Sequence, residues 1–163
     1  MSPNSDDIIR EALFSSSIFK PGGERTLDQS FIPGELYHRD DNIRRITQNY
    51  RPLFISKTSG AEGFYTNVAI IGTAGVGKTV TTRYTVNKLR DMAVNYRIKL
   101  YTDYKNCWTT RTKTSILRSI LRETFGVRSR GYSDEESTDI LVRRLESEQA
   151  YLILILDEIS VAI

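Results

Sequence analysis

Residues 67–79, Asn-Val-Ala-Ile-Ile-Gly-Thr-Ala-Gly-Val-Gly-Lys-Thr, constrain this chain more than any other stretch. An apolar run, Val68 to Ile71, feeds into Gly72, and the spacing G-x-x-x-x-G-K-T closes at Thr79. A triphosphate carries several negative charges, and backbone N–H groups wrap it only where side chains leave room. Gly72, Gly75 and Gly77 supply that room and the positive φ angles of a tight loop. Lys78 is placed to neutralise the β- and γ-phosphates, and the Thr79 hydroxyl to ligate Mg²⁺. The expected nucleotide contacts are therefore Gly72, Thr73, Ala74, Gly75, Val76, Gly77, Lys78, Thr79 and Val80. A strand should precede the loop and a helix, from about Lys78 to Met92, should follow. Thr82, Val86, Leu89 and Ala93 fall on one face of that helix, whose N-terminus turns its partial positive charge to the phosphates.

The second element is the run Tyr151-Leu-Ile-Leu-Ile-Leu156, which reads as a strand buried on both faces and ends in Asp157-Glu158. Ligands in open α/β sheets collect at the carboxyl ends of the strands, so both carboxylates belong beside the loop. Asp157 is the candidate Mg²⁺ ligand with Thr79. Glu158 is the candidate base that orients water on the γ-phosphate, with Lys78 as its electrostatic partner in catalysis. No Asp-x-x-Gly switch or Asn-Lys-x-Asp base reader of guanine-nucleotide proteins occurs, which favours ATP.

Between these motifs the pattern alternates strand and helix. Ile43, Ile46, Tyr50 and Leu53 recur at helical spacing behind Asp40 and Asp41, with Pro52 expected to end or kink the helix. Lys57 to Thr66 reads as a loop. Arg97 to Asp103 alternates as a short strand, Ser115 to Phe125 as a helix, and Ser133 with Glu136 as a capping box opening another. Residues 1–36 lack strong periodicity and read as an N-terminal arm, with a short helix around Ile8, Ile9, Ala12 and Leu13, while 37–163 form the nucleotide-binding unit. The alternation predicts an α/β fold with a parallel sheet.

The 163 residues suffice for one core, and the longest apolar run, Ala150 to Leu156, is far short of a bilayer span. No signal-peptide pattern opens the chain, so the expectation is a protein that stays inside the cell. Cys107 is alone, which excludes an internal disulfide and a Cys/His zinc cluster. The net charge of +3 is modest. Its distribution is uneven: Tyr104 to Arg130 contains Lys105, Arg111, Lys113, Arg118, Arg122, Arg128 and Arg130 against one acid, Glu123, with Trp108 among them. Clustered cations beside an aromatic fit a phosphate-backbone footprint, and equally a solvated basic helix face.

Taken together, Gly72–Thr79 and Leu156-Asp157-Glu158-Ile159 resemble the Walker A and Walker B elements of AAA+ ATPases. Phe31-Ile-Pro-Gly-Glu-Leu-Tyr-His-Arg-Asp40 is similar to the entry segment of the initiator clade, the origin-recognition-complex and cell-division-control proteins. Tyr101-Thr-Asp-Tyr-Lys-Asn-Cys107 and Thr114 to Gly126 resemble that clade's second strand and following helix. The likeness runs over roughly residues 15–160. It implies a P-loop NTPase of the AAA+ type, a three-layer αβα sandwich with a parallel sheet. Measured against the family, this copy is expected to be incomplete, lacking the later strands, lid and winged-helix domain. It also implies an adenine-side role for His38 and Arg39, and a DNA-touching insertion at Asn106 to Lys113, hence Lys105, Trp108, Arg111 and Lys113 as candidate DNA contacts.

The implied function is ATP- and Mg²⁺-gated binding of double-stranded origin DNA. Other initiator subunits or a replicative helicase are the implied partners. The location would be the cytoplasm at the nucleoid, or the nucleus if the source is eukaryotic. Without the family's sensors and arginine finger, binding is expected with slow turnover or none. Another P-loop ATPase of signalling or transposition type, or a non-hydrolysing paralogue that binds nucleotide or a partner initiator, are the alternatives. Strands 68–71 and 151–156 are expected to face a gap where the family has another strand, so they either pair directly or are covered by another segment or chain.

Overall fold

A computed structural model describes residues 4–6, 9–10, 23–28, 31–59 and 66–161. The chain divides into two compact units, residues 1–33 and 34–163. In the first, Ser5, Asp6, Ile9 and Arg10 are helical and a 3₁₀ turn spans Gly23–Leu27. The rest of the short helix expected there, Ile8, Ala12 and Leu13, lies outside the described residues.

The second unit is an αβα stack. Its elements are α1 (Asp40–Ser59), α2 (Lys78–Asn95), β1 (Lys99–Asn106), α3 (Lys113–Phe125), α4 (Asp134–Ser147) and β2 (Ala150–Asp157). A 3₁₀ turn, Ile159–Val161, follows. β1 and β2 are parallel, in a register that sets Leu100 against Tyr151 and Asn106 against Asp157. Alternation along both strands sorts the core. Leu100, Tyr151, Ile153 and Ile155 pack against Leu53 and Phe54 of α1 and Val86, Leu89 and Ala93 of α2. Leu152 and Leu154 face the opposite layer, where Ile120 and Leu121 of α3 meet Leu141 of α4. A strand carrying apolar residues at every position is what two covered faces demand.

Several sequence expectations shift. Pro52 neither ends α1 nor bounds it: the helix runs on to Ser59, so 57–59 are helical rather than loop. A proline in a helix interior costs about 3 kcal/mol. Burial of Ile46 and Leu53 on either side of it, worth roughly 1.5–3 kcal/mol for each side chain, offsets that. On α2 the buried threonines are Thr81 and Thr85, while Thr82 is only half-buried and bonds back to the Lys78 carbonyl. α3 starts two residues early because Thr112 and Ser115 cap it reciprocally, and the Ser133–Glu136 capping box opens α4 as read.

The largest departure is at 68–71. It belongs to no strand, and among the described residues the sheet has two strands only. Ile71 is 93 % exposed, and Ile70 and Val76 are exposed beside it. A β-branched run becomes a strand only where a ladder partner takes up its N–H and C=O groups, and β2 pairs with β1 instead.

Between β1 and α3 the core is charged. Lys105 is 5 % exposed, and its ammonium lies 3.0 Å from Asp103 and 2.6 Å from Glu123. A lysine there needs partners, because burial penalises the charged form. The hydrogen bond from Lys105, then those from Arg122 and Ser119, hold the Glu123 carboxyl down at about 2, below its ordinary 4.5. The folded form therefore gains stability from this carboxylate in full above about pH 4.5, and loses it as pH falls through about 2. Half the Glu123 side chain meets solvent, so the effect is modest. Urea unfolding at stepped pH is expected to show a shallower loss of stability between those two values in Glu123→Gln than in the parent. Parallel curves would place the pairing outside the energetics of the fold.

Candidate functional site

The site forms where α2 begins. Gly77 caps that helix with φ 84° and brings no side chain to bond its first N–H groups, which leaves them for an anion. Gly75 also sits at positive φ, 78°, whereas Gly72 does not. A Cβ at Gly72 would stand 3.5 Å from Val76 Cγ2 and 3.8 Å from Lys78 Cδ, ordinary van der Waals contact, so neither φ nor space demands glycine there. Lys78 Nζ donates to the carbonyls of Gly72 (3.0 Å) and Thr73 (2.8 Å), so its ammonium spans the mouth of the loop. Thr73, Ala74 and Val76 are exposed along the rim, and Val80 is half-buried in the first turn of α2.

Thr79, one residue into that helix, donates to Asp157 Oδ2 at 2.8 Å across 78 positions of sequence. The two halves of the site read from the sequence thus meet side chain to side chain. A hydroxyl and a carboxylate in contact at a helix N-terminus are hard oxygen donors of the kind Mg²⁺ takes alongside phosphate and water. No cage of three or more His, Cys, Asp or Glu occurs among the described residues, and Mg²⁺ shared with a phosphate needs none. The residues fit that ion. Glu158 is exposed at φ 54°, and its N–H bonds Asp157 Oδ1 at 3.1 Å. The left-handed backbone turns the chain sharply at the end of β2.

Two side chains not singled out by spacing complete the surroundings. Tyr104 on β1 donates to the same Asp157 Oδ2 at 2.9 Å, and the Arg83 guanidinium lies 4.6 Å from its ring centre. Burial first, then the bond to Asp157, pushes the Tyr104 hydroxyl up to about 12, which keeps it a neutral donor. Arg83 stands four residues after Thr79, one turn on, a spacing that could have been read. Tyr104 reaches Asp157 only through the strand register, which no local pattern carries. Cys107 is fully buried, with its thiol pushed up by that burial. It packs, as a lone thiol does.

On the other side of the loop a cleft of about 340 Å³ opens between α1, residues 68–71 and the start of α2. Asn42, Arg45, Ile46 and Asn49 line its α1 wall; His38 and Arg39 do not. The recurrence of 42, 45 and 49 at helical spacing was the available signal. His38 is exposed at φ 56°, and Arg39 lies over the loop, its Nη2 3.5 Å from the place of a Cβ on Gly77.

The basic stretch divides. Lys105 is corrected out of any surface patch, being buried between Asp103 and Glu123. Trp108 is 55 % exposed at the tip after β1, with the Arg111 guanidinium 5.7 Å from its ring centre and Arg111 Nε bonded to the Trp108 carbonyl at 3.1 Å. Lys113 is exposed at the start of α3. Arg118 is tied to the Tyr132 carbonyl and Arg122 to Glu123.

Known proteins share this architecture. A family model described as an AAA domain matches residues 65–160. ORC1-type DNA replication protein 2 of Sulfolobus acidocaldarius is 31 % identical over 156 residues, covering 93 % of this chain and 35 % of that protein. The ORC1-type DNA replication protein of Desulfurococcus amylolyticus is 32 % identical, covering 95 % and 38 %. The Aeropyrum pernix ORC2 protein, solved in ADPNP–ADP complexes, superposes with a TM-score of 0.73 at 28 % identity over 85 % of this chain and 35 % of its own. The Aeropyrum pernix ORC1 protein in complex with DNA gives 0.67 at 28 % identity, over 83 % and 34 %. The chain spans about a third of the length of these relatives. It belongs to the AAA domain family.

Proposed function

We propose that residues 34–163 are the Mg²⁺-ATP-binding core of a replication initiator, in which the nucleotide site lies next to a tip that meets duplex DNA. The observation that carries this reading is the Thr79–Asp157 bond, which joins loop and strand end into one oxygen-lined crevice. In that crevice the N–H groups of Gly75 to Val80 hold the phosphates, and Lys78 turns from the Gly72 and Thr73 carbonyls to the β- and γ-oxygens. Thr79 and Asp157 hold Mg²⁺, which when bound neutralises charge on the phosphate oxygens. Glu158 is the candidate base for water at the γ-phosphate. The α1 wall of the cleft, with Asn42 and Asn49, takes the base. Arg39 then serves the phosphate side rather than the adenine side, because its guanidinium already lies over Gly77.

Trp108, Arg111 and Lys113 are the DNA contacts of this reading, without Lys105. The exposed indole with a cation over it suits a sugar-phosphate groove. Relatives named for replication and one solved with DNA support DNA as a partner. Other initiator subunits and a replicative helicase are the protein partners it brings, and the nucleoid its place of action. No helix among the described residues is long and apolar enough to cross a membrane.

Labelled ATP titrated with magnesium is expected to bind the parent and to lose at least about tenfold in affinity with Lys78→Ala, as removal of a charge-assisted contact implies. Undiminished uptake overturns the phosphate assignment. For DNA, duplex affinity followed against salt is expected to lose about one unit of log–log slope for each of Arg111→Ala and Lys113→Ala. An unchanged slope removes the tip from the interface and leaves a nucleotide-binding protein.

A further inference from the structure

Asp157 is held by more than the loop. Oδ1 accepts from the Glu158 backbone N–H, while Oδ2 accepts from both Thr79 and Tyr104. Tyr104 stands opposite Ile155 in the ladder, so it shares a sheet face with Asp157 two residues on and reaches it diagonally. Arg83 lies over the Tyr104 ring from α2, the helix that also carries Thr79. The four side chains close a circuit: Thr79 to Asp157, Asp157 to Tyr104, Tyr104 under Arg83, and one helical turn back to Thr79.

We infer that Tyr104 is the positioning residue for the metal-binding carboxylate, fixing the plane of Asp157 so that the metal-facing oxygens are in place before a cation arrives. Thr79 cannot do this alone, because its hydroxyl is itself a proposed ligand and its orientation changes with the ion. A donor from β1 that never touches the metal leaves the carboxylate oriented in both states. Its phenol has only two side-chain torsions and is braced by the guanidinium on its face, so little freedom is lost in holding the bond. Groups that orient a ligand from behind in this way are typically worth about 10- to 100-fold in metal affinity. The inference rests on the magnesium–nucleotide reading.

The test is a titration of fluorescently labelled ATP on the full chain, first in EDTA and then at stepped MgCl₂, for the parent, Tyr104→Phe, Asp157→Asn and the double variant. Phenylalanine keeps the ring under Arg83 and removes only the donor. Tyr104→Phe is expected to raise the magnesium concentration for half-effect by about tenfold. Its metal-free affinity should stay within about twofold of the parent, and Tyr104→Phe should add less than about twofold on top of Asp157→Asn. An unchanged magnesium midpoint overturns the inference. So does an equal loss with and without the metal, or a full additional loss in the Asp157→Asn background, since each marks the tyrosine as packing. A parent that takes up no nucleotide, or takes it up without regard to magnesium, overturns the reading of the site itself, and the inference with it.

Discussion

Two elements far apart in sequence must end at the same point, and the two-stranded parallel ladder arranges this. Asp157 sits at the last register position of β2, opposite Asn106. Its side chain faces the layer of α1 and α2 because the odd-numbered residues of β2, Tyr151, Ile153 and Ile155, pack against those helices. A shift by one residue would turn Leu154 and Leu156 to that layer and send Asp157 to the side of α3 and α4. The apolar alternation of β2 is therefore a packing device and, at its last residue, the condition for an acid to stand within 2.8 Å of Thr79.

The same rule explains the charged pocket on the other face. In β1, Leu100, Tyr104 and Asn106 share one side, while Tyr101, Asp103 and Lys105 share the other. The second set meets α3, where Phe125 stacks edge-on with Tyr101 and Glu123 receives Lys105. Having three charges between strand and helix satisfies a lysine that the alternation forces inward. The strand thus carries a polar partner for the site on one side and a closed ion cluster on the other.

What could be read without coordinates follows from range. Gly77-Lys78-Thr79 announces the start of α2 because cap, charge and hydroxyl are local, and Ser133 with Glu136 does the same for α4. The strand at 151–156 was legible from six apolar residues in a row. Residues 68–71 show the same local signal without becoming a strand, since the signal says nothing of a partner. Lys105 was legible as a charge but not as a buried one, because Glu123 lies 18 residues away. Tyr104 and the α1 wall of the cleft were missed for opposite reasons. The first depends on register across β1 and β2, while the helical spacing of Asn42, Arg45 and Asn49 was present and went unread as a wall.

The run before the loop has an energetic consequence for the site. Val68 to Ile71 enter the loop from a segment that no strand among the described residues pairs, and Ile71 offers nearly its whole side chain to water. From the α2 side the loop is anchored firmly: Thr81 N–H bonds the Gly77 carbonyl at 3.0 Å, and Thr81 and Thr85 are buried. From the other side it is held by the Lys78 bonds to Gly72 and Thr73, which the lysine would give up in the proposed turn to a phosphate. On the proposed nucleotide reading, holding the entry to the loop in one conformation would cost roughly 1–2 kcal/mol for each backbone residue that has to be ordered. Any strand that pairs with 68–71 would remove part of that cost beforehand and tighten nucleotide binding. By linkage, bound nucleotide would tighten the hold of that strand by the same factor. The exposed apolar run and the phosphate loop are in this sense one thermodynamic unit, although they are separate elements of structure.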